Sequence, residues 1–169
     1  MDFSFKNIDI AYSQIQNNVI RTPLVSSEYI NKELRSNIFF KLENLQITGS
    51  FKFRGAFFKI SLLTNEEKSR GVVAYSSGNH AQAVAYASNI LGINAKIVMP
   101  KNAPLIKIDN TKKYGAEIVL YDPISENREK IGEEIAKIEK RILIKPYDDE
   151  NIIAGQGTSG KEIVEELIN

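Results

Sequence analysis

The segment TGSFKFRGA, residues 48 to 56, sets Lys52 between Phe51 and Phe53 and follows it two places on with Arg54. A primary amine near the start of a helix, flanked by aromatic rings, loses solvation and feels the positive end of the helix dipole. Both effects lower its pKa. A neutral amine is what Schiff-base chemistry with a carbonyl compound requires. Spacing alone also fits a plainer reading, a surface lysine whose stem lies over the rings. A second stretch, AYSSGNHAQAVAYA (74 to 87), reads as a strand end, a small polar turn and a helix beginning near Asn79. Backbone N–H groups and the hydroxyls of Ser76 and Ser77 would then converge where a carboxylate or phosphate could bind. Its plainer reading is an ordinary helix cap, with His80 structural.

The third stretch, GQGTSGKE, matches GxGxxG through Gly155, Gly157 and Gly160, and most of a P-loop through Lys161. Both matches fail on context. A P-loop needs Ser or Thr after the lysine to meet magnesium, and Glu162 stands there. The dinucleotide pattern needs an acidic residue about 20 positions on, beyond Asn169. A turn leading into a helix near Thr158 is the expectation instead.

The elements around these stretches alternate. Apolar spacing predicts a helix over 7 to 19, a short helix after Ser26 or Ser27, a strand over 37 to 43 and a helix over 50 to 63. TNEEKSRG reads as a capped helix stopping at Gly71. From there the order is strand GVVAYS, helix 79 to 91, strand AKIVMP, helix 104 to 114, strand AEIVLY, helix 125 to 140, strand ILIKPY. Such a series predicts an α/β fold, an open parallel sheet with helices on both faces. The small α/β domain is expected over 68 to 148. Residues 1 to 67 and 149 to 169 would be parts of a second, incomplete large lobe, too short for a core of their own. The chain is therefore expected to be a piece of a longer protein.

Composition narrows the function classes. Lysine plus arginine total 22 against 21 acidic residues, which gives no broad electrostatic footprint for nucleic acid or an anionic membrane. The chain has no cysteine and one histidine, so disulfides, thiolate metal sites and histidine metal clusters are excluded. No apolar run reaches the roughly 18 residues of a membrane span, and the N-terminus lacks the basic flank and apolar stretch of a secretory signal. A cytoplasmic protein with no nucleic-acid or membrane partner is the expectation.

Taken together, SFKFRGA, SSGNHAQAVAYA, AKIVMPKNAP, KKYGAEIVLYD, ENREK and IAGQGT resemble the serine/threonine dehydratase and serine racemase group of fold type II pyridoxal-phosphate enzymes, in that family's order and spacing. The resemblance implies that Lys52 is the lysine that binds pyridoxal 5'-phosphate covalently, that Phe51 lines the cofactor pocket, and that Asn79 hydrogen-bonds the cofactor's 3′ oxygen. Ser76, Ser77, Gly78, Asn79 and His80 would form the loop that holds the carboxylate of a small amino acid substrate. Lys52 would remove the α-proton, the β-hydroxyl would leave, and hydrolysis would give a 2-oxo acid and ammonia. Ser77 matches the second acid/base of racemase-like members, a position that some dehydratases share, so lyase and racemase chemistry both stand. The resemblance also implies a full-length homo-oligomer. The family's phosphate loop, the partner of its pyridine nitrogen and its acidic metal site would all fall after Asn169, so no metal ligand is assigned and the chain alone is expected to show little activity. A noncatalytic α/β nucleotide-binding module is the alternative.

Overall fold

The computed structural model describes residues 3–168. Helix α1 (Phe5–Ile15) leads to a two-stranded antiparallel pair, β1 (Leu24–Ser26) and β2 (Phe39–Lys41), with α2 (Glu28–Leu34) between them. Ser27 caps α2 by accepting from the Ile30 N–H. Helix α3 (Lys52–Ser61) begins at Lys52, and α4 (Asn65–Arg70) is held by the reciprocal Thr64 and Glu67 capping box and stopped by Gly71 at φ 80°.

Four parallel strands follow, β3 (Val72–Tyr75), β4 (Ala95–Pro100), β5 (Glu117–Tyr121) and β6 (Ile142–Leu143), in spatial order β5-β4-β3-β6. They alternate with α5 (Asn79–Ile90), α6 (Leu105–Lys113) and α7 (Arg128–Glu139), and α8 (Glu150–Ile168) closes the series. Every residue of β3 is buried, as expected of a parallel strand covered on both faces. Val72, Ala74, Ile97 and Met99 pack with α3 and α5 residues, whereas Val73, Tyr75 and Val98 pack with Ile131 and Ile135 of α7. The expected α/β architecture, an open parallel sheet with helices on both faces, is therefore present. Among the described residues no helix is long and apolar enough to cross a membrane.

Several expectations shift: the first helix runs from Phe5 and ends at Ile15 instead of 19, the strand expected over 37 to 43 covers only Phe39–Lys41, and three further differences concern the later elements. The last strand stops at Leu143 instead of reaching Tyr147. The Ile144 N–H still bonds Val73 O at 2.8 Å, but the Ile144 carbonyl turns to His80 and Pro146 has no N–H to give a ladder. Helix α7 starts at Arg128 instead of 125, because Asn127 accepts from the N–H groups of Glu129 and Lys130 and so marks the cap. The largest correction is at the end of the chain. Residues 155 to 162 are no turn into a helix near Thr158; they lie inside α8, whose first turn is capped by Asp149 through the N–H groups of Asn151 (3.0 Å) and Ile152 (3.1 Å).

Candidate active site

Lys52 owes its place to its neighbours in α3. Two residues on, the Arg54 side chain is 0% exposed and its guanidinium forks onto two carboxylates, Glu43 at 2.8 and 2.9 Å and Glu162 at 2.7 and 2.9 Å, with a further bond to the Ile20 carbonyl at 3.1 Å. Burial works against the arginine's charge, but the bonds to Glu43 and Glu162 outweigh it and raise its pKa. Lys41 Nζ adds a contact to Glu162 at 2.9 Å and one to the Thr22 carbonyl at 2.6 Å. The first turn of α3 is thus bolted to α8 through a paired, hydrogen-bonded ion cluster, which is costly to break from either side. Arg54 was visible in the sequence beside Lys52, but its carboxylate partners, 11 and 108 residues away, left no local signal there.

Lys52 itself is half-buried. Its Nζ donates to the Pro146 carbonyl at 2.7 Å and lies 5.4 Å from the centre of the Phe51 ring, while Phe53 turns fully into the core. Desolvation lowers its pKa from the usual lysine value, the direction its position between the aromatic residues predicts. It lines a cleft of about 560 Å³ together with Phe51, Pro146, Tyr147, Ile152 and Gln156. Sequence reasoning missed Pro146, Tyr147, Ile152 and Gln156, because only the fold brings the segment after β6 and the first turns of α8 to Lys52. A groove of similar size along α2, lined by Glu28, Asn31 and Lys32 among others, contains none of the candidate residues.

The second stretch forms the turn from β3 into α5, at the carboxyl end of a central parallel strand, where ligands dock in open sheets. Gly78 stands at the N-cap and supplies no side-chain bond to the helix, so the plainer reading of Ser or Asn capping α5 does not hold. Ser76 Oγ accepts from the Gly78 N–H at 3.2 Å, and Ser77 is exposed, with no hydrogen bond to its hydroxyl among the described residues. A Cβ built on Gly78 would meet nothing within 4 Å, so the space before the helix terminus is open. An uncapped helix N-terminus facing open space suits an anion. Asn79 is exposed and its Oδ1 accepts from Lys107 Nζ at 2.9 Å.

His80 behaves differently from its neighbours. It is 3% exposed, its Nε2 donates to the Ile144 carbonyl at 3.1 Å, and its buried Nδ1 has no partner. Burial above all, with a smaller push from the charge of Lys52, pulls its pKa down to about 4. The imidazole is thus neutral and turned inward, and only the backbone of His80 belongs to the turn. Pro146 O and Ile144 O, two residues apart, hold Lys52 and His80 respectively, which joins the lysine and the turn through one segment.

In chemical type these residues fit pyridoxal phosphate: a desolvated primary amine at the lip of a cleft, and an uncapped helix terminus that begins with an asparagine, outside the cleft lining but tied to the lysine through the segment from Ile144 to Pro146. Comparison with known proteins agrees. Residues 15–169 match the family described as pyridoxal-phosphate dependent enzymes. The L-threo-3-hydroxyaspartate ammonia-lyase of Saccharomyces cerevisiae is 47% identical over 93% of this chain and 48% of its own length. The catabolic L-threonine dehydratase of Staphylococcus aureus is 46% identical over 98% and 48%. The structure of maize serine racemase superposes with a TM-score of 0.94 at 40% identity, covering 98% of this chain and 50% of that one. The chain spans about half the length of the curated relatives it matches. It belongs to the pyridoxal-phosphate dependent enzyme family, fold type II.

Proposed function

We propose that this chain carries the reactive lysine of a pyridoxal-phosphate-dependent ammonia-lyase that converts a β-hydroxy amino acid, threonine or serine, to a 2-oxo acid and ammonia. The observation that carries the reading is Lys52, a half-buried amine with a lowered pKa at the rim of a cleft. Bound there, pyridoxal phosphate supplies an electron sink for the charge left on the α-carbon. Lys52 would hold the cofactor covalently and would take the α-proton of the substrate, and the desolvation that lowers its pKa favours the neutral amine that both tasks need. Pro146 O receives the ammonium that results, as it receives Nζ in this structure. The N-terminus of α5, with Ser76 and Ser77, holds the substrate carboxylate together with the backbone of Gly78, Asn79 and His80. Asn79 would offer its amide donors to the cofactor's ring oxygen, and Phe51 would wall the pocket.

Serine racemisation is a second reading, and one observation supports it: the Ser77 hydroxyl is exposed and unengaged, free to carry a proton. The nucleotide-binding alternative loses its motif, since the glycines of GQGTSGKE lie within α8 and form no phosphate loop. We assign residues 1 to 67 and 149 to 169 to a large cofactor-binding domain and 68 to 148 to a small domain, and place the full-length protein in the cytoplasm as a homo-oligomer.

Borohydride reduction of the full-length protein in the presence of pyridoxal phosphate, followed by peptide mapping, tests the reading. Label on Lys52 is expected, lost in Lys52→Arg, with 2-oxo acid formed from threonine or serine by the wild type alone. Label scattered over surface lysines, or turnover retained by Lys52→Arg, would refute it.

A further inference from the structure

Asparagine amides can face either way, and only their partners fix which end is presented. Lys107 fixes Asn79. An ammonium donates and never accepts, so its 2.9 Å contact must be with Oδ1, and the Nδ2 donors are left facing away from it. The lysine's backbone is held on both sides of the contact: its N–H donates to Pro104 O at 2.8 Å, and its carbonyl accepts from Thr111 Oγ1 at 2.7 Å, where Thr111 is fully buried.

The placement opposes local electrostatics. Lys107 lies in the first turn of α6, where a cation is disfavoured by its own helix dipole, and its head reaches Asn79, the first residue of α5, the positive end of a second helix. Among the described residues no carboxylate lies within ion-pair distance of it. Two helix termini and an ammonium converge with an amide oxygen as the ammonium's acceptor. Such an arrangement lowers the energy of an anionic oxygen facing the free Nδ2 donors and raises the energy of the site without one.

Resting on the cofactor reading above, we propose that Lys107 is a positioning residue: it locks the Asn79 amide with Nδ2 toward the ionised ring oxygen of pyridoxal phosphate. The residue acts through Asn79 and need not touch the cofactor.

The test uses the full-length holoprotein, with pyridoxal phosphate itself as probe and two readouts that need no turnover: the dissociation constant of the cofactor and the ratio of its two absorption bands at fixed pH. The long-wavelength band reports the ionised ring oxygen. Lys107→Met, which keeps the stem on a half-exposed residue, is expected to weaken binding about tenfold and to shift intensity to the short-wavelength band. Lys107→Arg, which also only donates, should stay within about twofold of wild type. In an Asn79→Ala background Lys107→Met should add little, because the amide it orients is gone. A Lys107→Met protein with wild-type affinity and band ratio would overturn the proposal, as would an effect of full size in the Asn79→Ala background. Absence of cofactor on Lys52 in the wild type would instead bring down the parent reading, and this one with it.

Discussion

Burial of a titratable ring leaves a trace in stability. His80 is neutral in the folded protein because protonation would create a charged donor at Nδ1 where no acceptor waits and where Lys52 already contributes positive charge. The unfolded chain binds that proton near pH 6.5, the folded one near 4. Below 6.5 the unfolded state therefore holds more protons, and stability rises with pH. This contribution is fully present above pH 6.5 and is lost progressively as pH falls toward 4, amounting to roughly 3 kcal/mol over the window. Urea unfolding at pH 4.5 and 7 should show it as a steeper loss in wild type than in His80→Gln, which keeps a donor for the Ile144 carbonyl and has no proton to bind. Equal slopes would mean that the ring is wetter than its 3% exposure indicates. At this scale the sequence was legible where chemistry is local. The aromatic flanks of Lys52 foretold a lowered pKa, whereas the inward turn of His80 depends on Ile144, 64 residues away.

The crossing of α3 and α8 explains the first glycine of the run that looks like a nucleotide motif. A Cβ on Gly155 would lie 2.6 Å from the Gly55 Cα and 2.9 Å from the Arg54 carbonyl, and one on Gly55 would lie 2.7 Å from the Ile152 carbonyl. Two backbones meet here with no room for side chains, immediately beside the residue that anchors Lys52. Gly160, in the same helix, has nothing within 4 Å of the equivalent position. Gly155→Ala should thus destabilise by about 1–3 kcal/mol, since backbone must move to admit the methyl. Gly160→Ala should gain up to about 1 kcal/mol from helix propensity alone. Thermal unfolding of the two variants separates steric contact from propensity; a stabilising Gly155→Ala would refute the close approach. The sequence showed glycines at a suggestive spacing but not their function, because the partner of the contact lies about a hundred positions earlier. Capped elements were far more legible: Thr64, Glu67 and Gly71 marked both ends of α4 from within its own segment.

Across the whole molecule, burial is uneven in a way that bears on the half-length match to the relatives. The parallel sheet is covered on both faces, with Val72, Val73, Ile97 and Val98 all at 0% exposure. The β1 and β2 pair is bare by comparison, with Val25, Phe39 and Phe40 each more than a third exposed. A two-stranded ribbon with apolar groups facing water on both sides is marginal on its own. Its two ends also differ. At Lys41 the strand is tied to α8 through Glu162 and Glu166, while near Phe39 the side-chain bonds among the described residues are exchanged by Ser26, Asn31 and Ile38 close to the surface. Hydrogen exchange on the 169-residue chain should therefore find the ladder amides of β1 and β2 at least about a hundredfold less protected than those of β3 and β4. Protection should fall from Lys41 toward Phe39. Uniformly strong protection of both strands would show that something covers the ribbon in solution. Loss of that protection on dilution would identify the cover as a second copy of the chain.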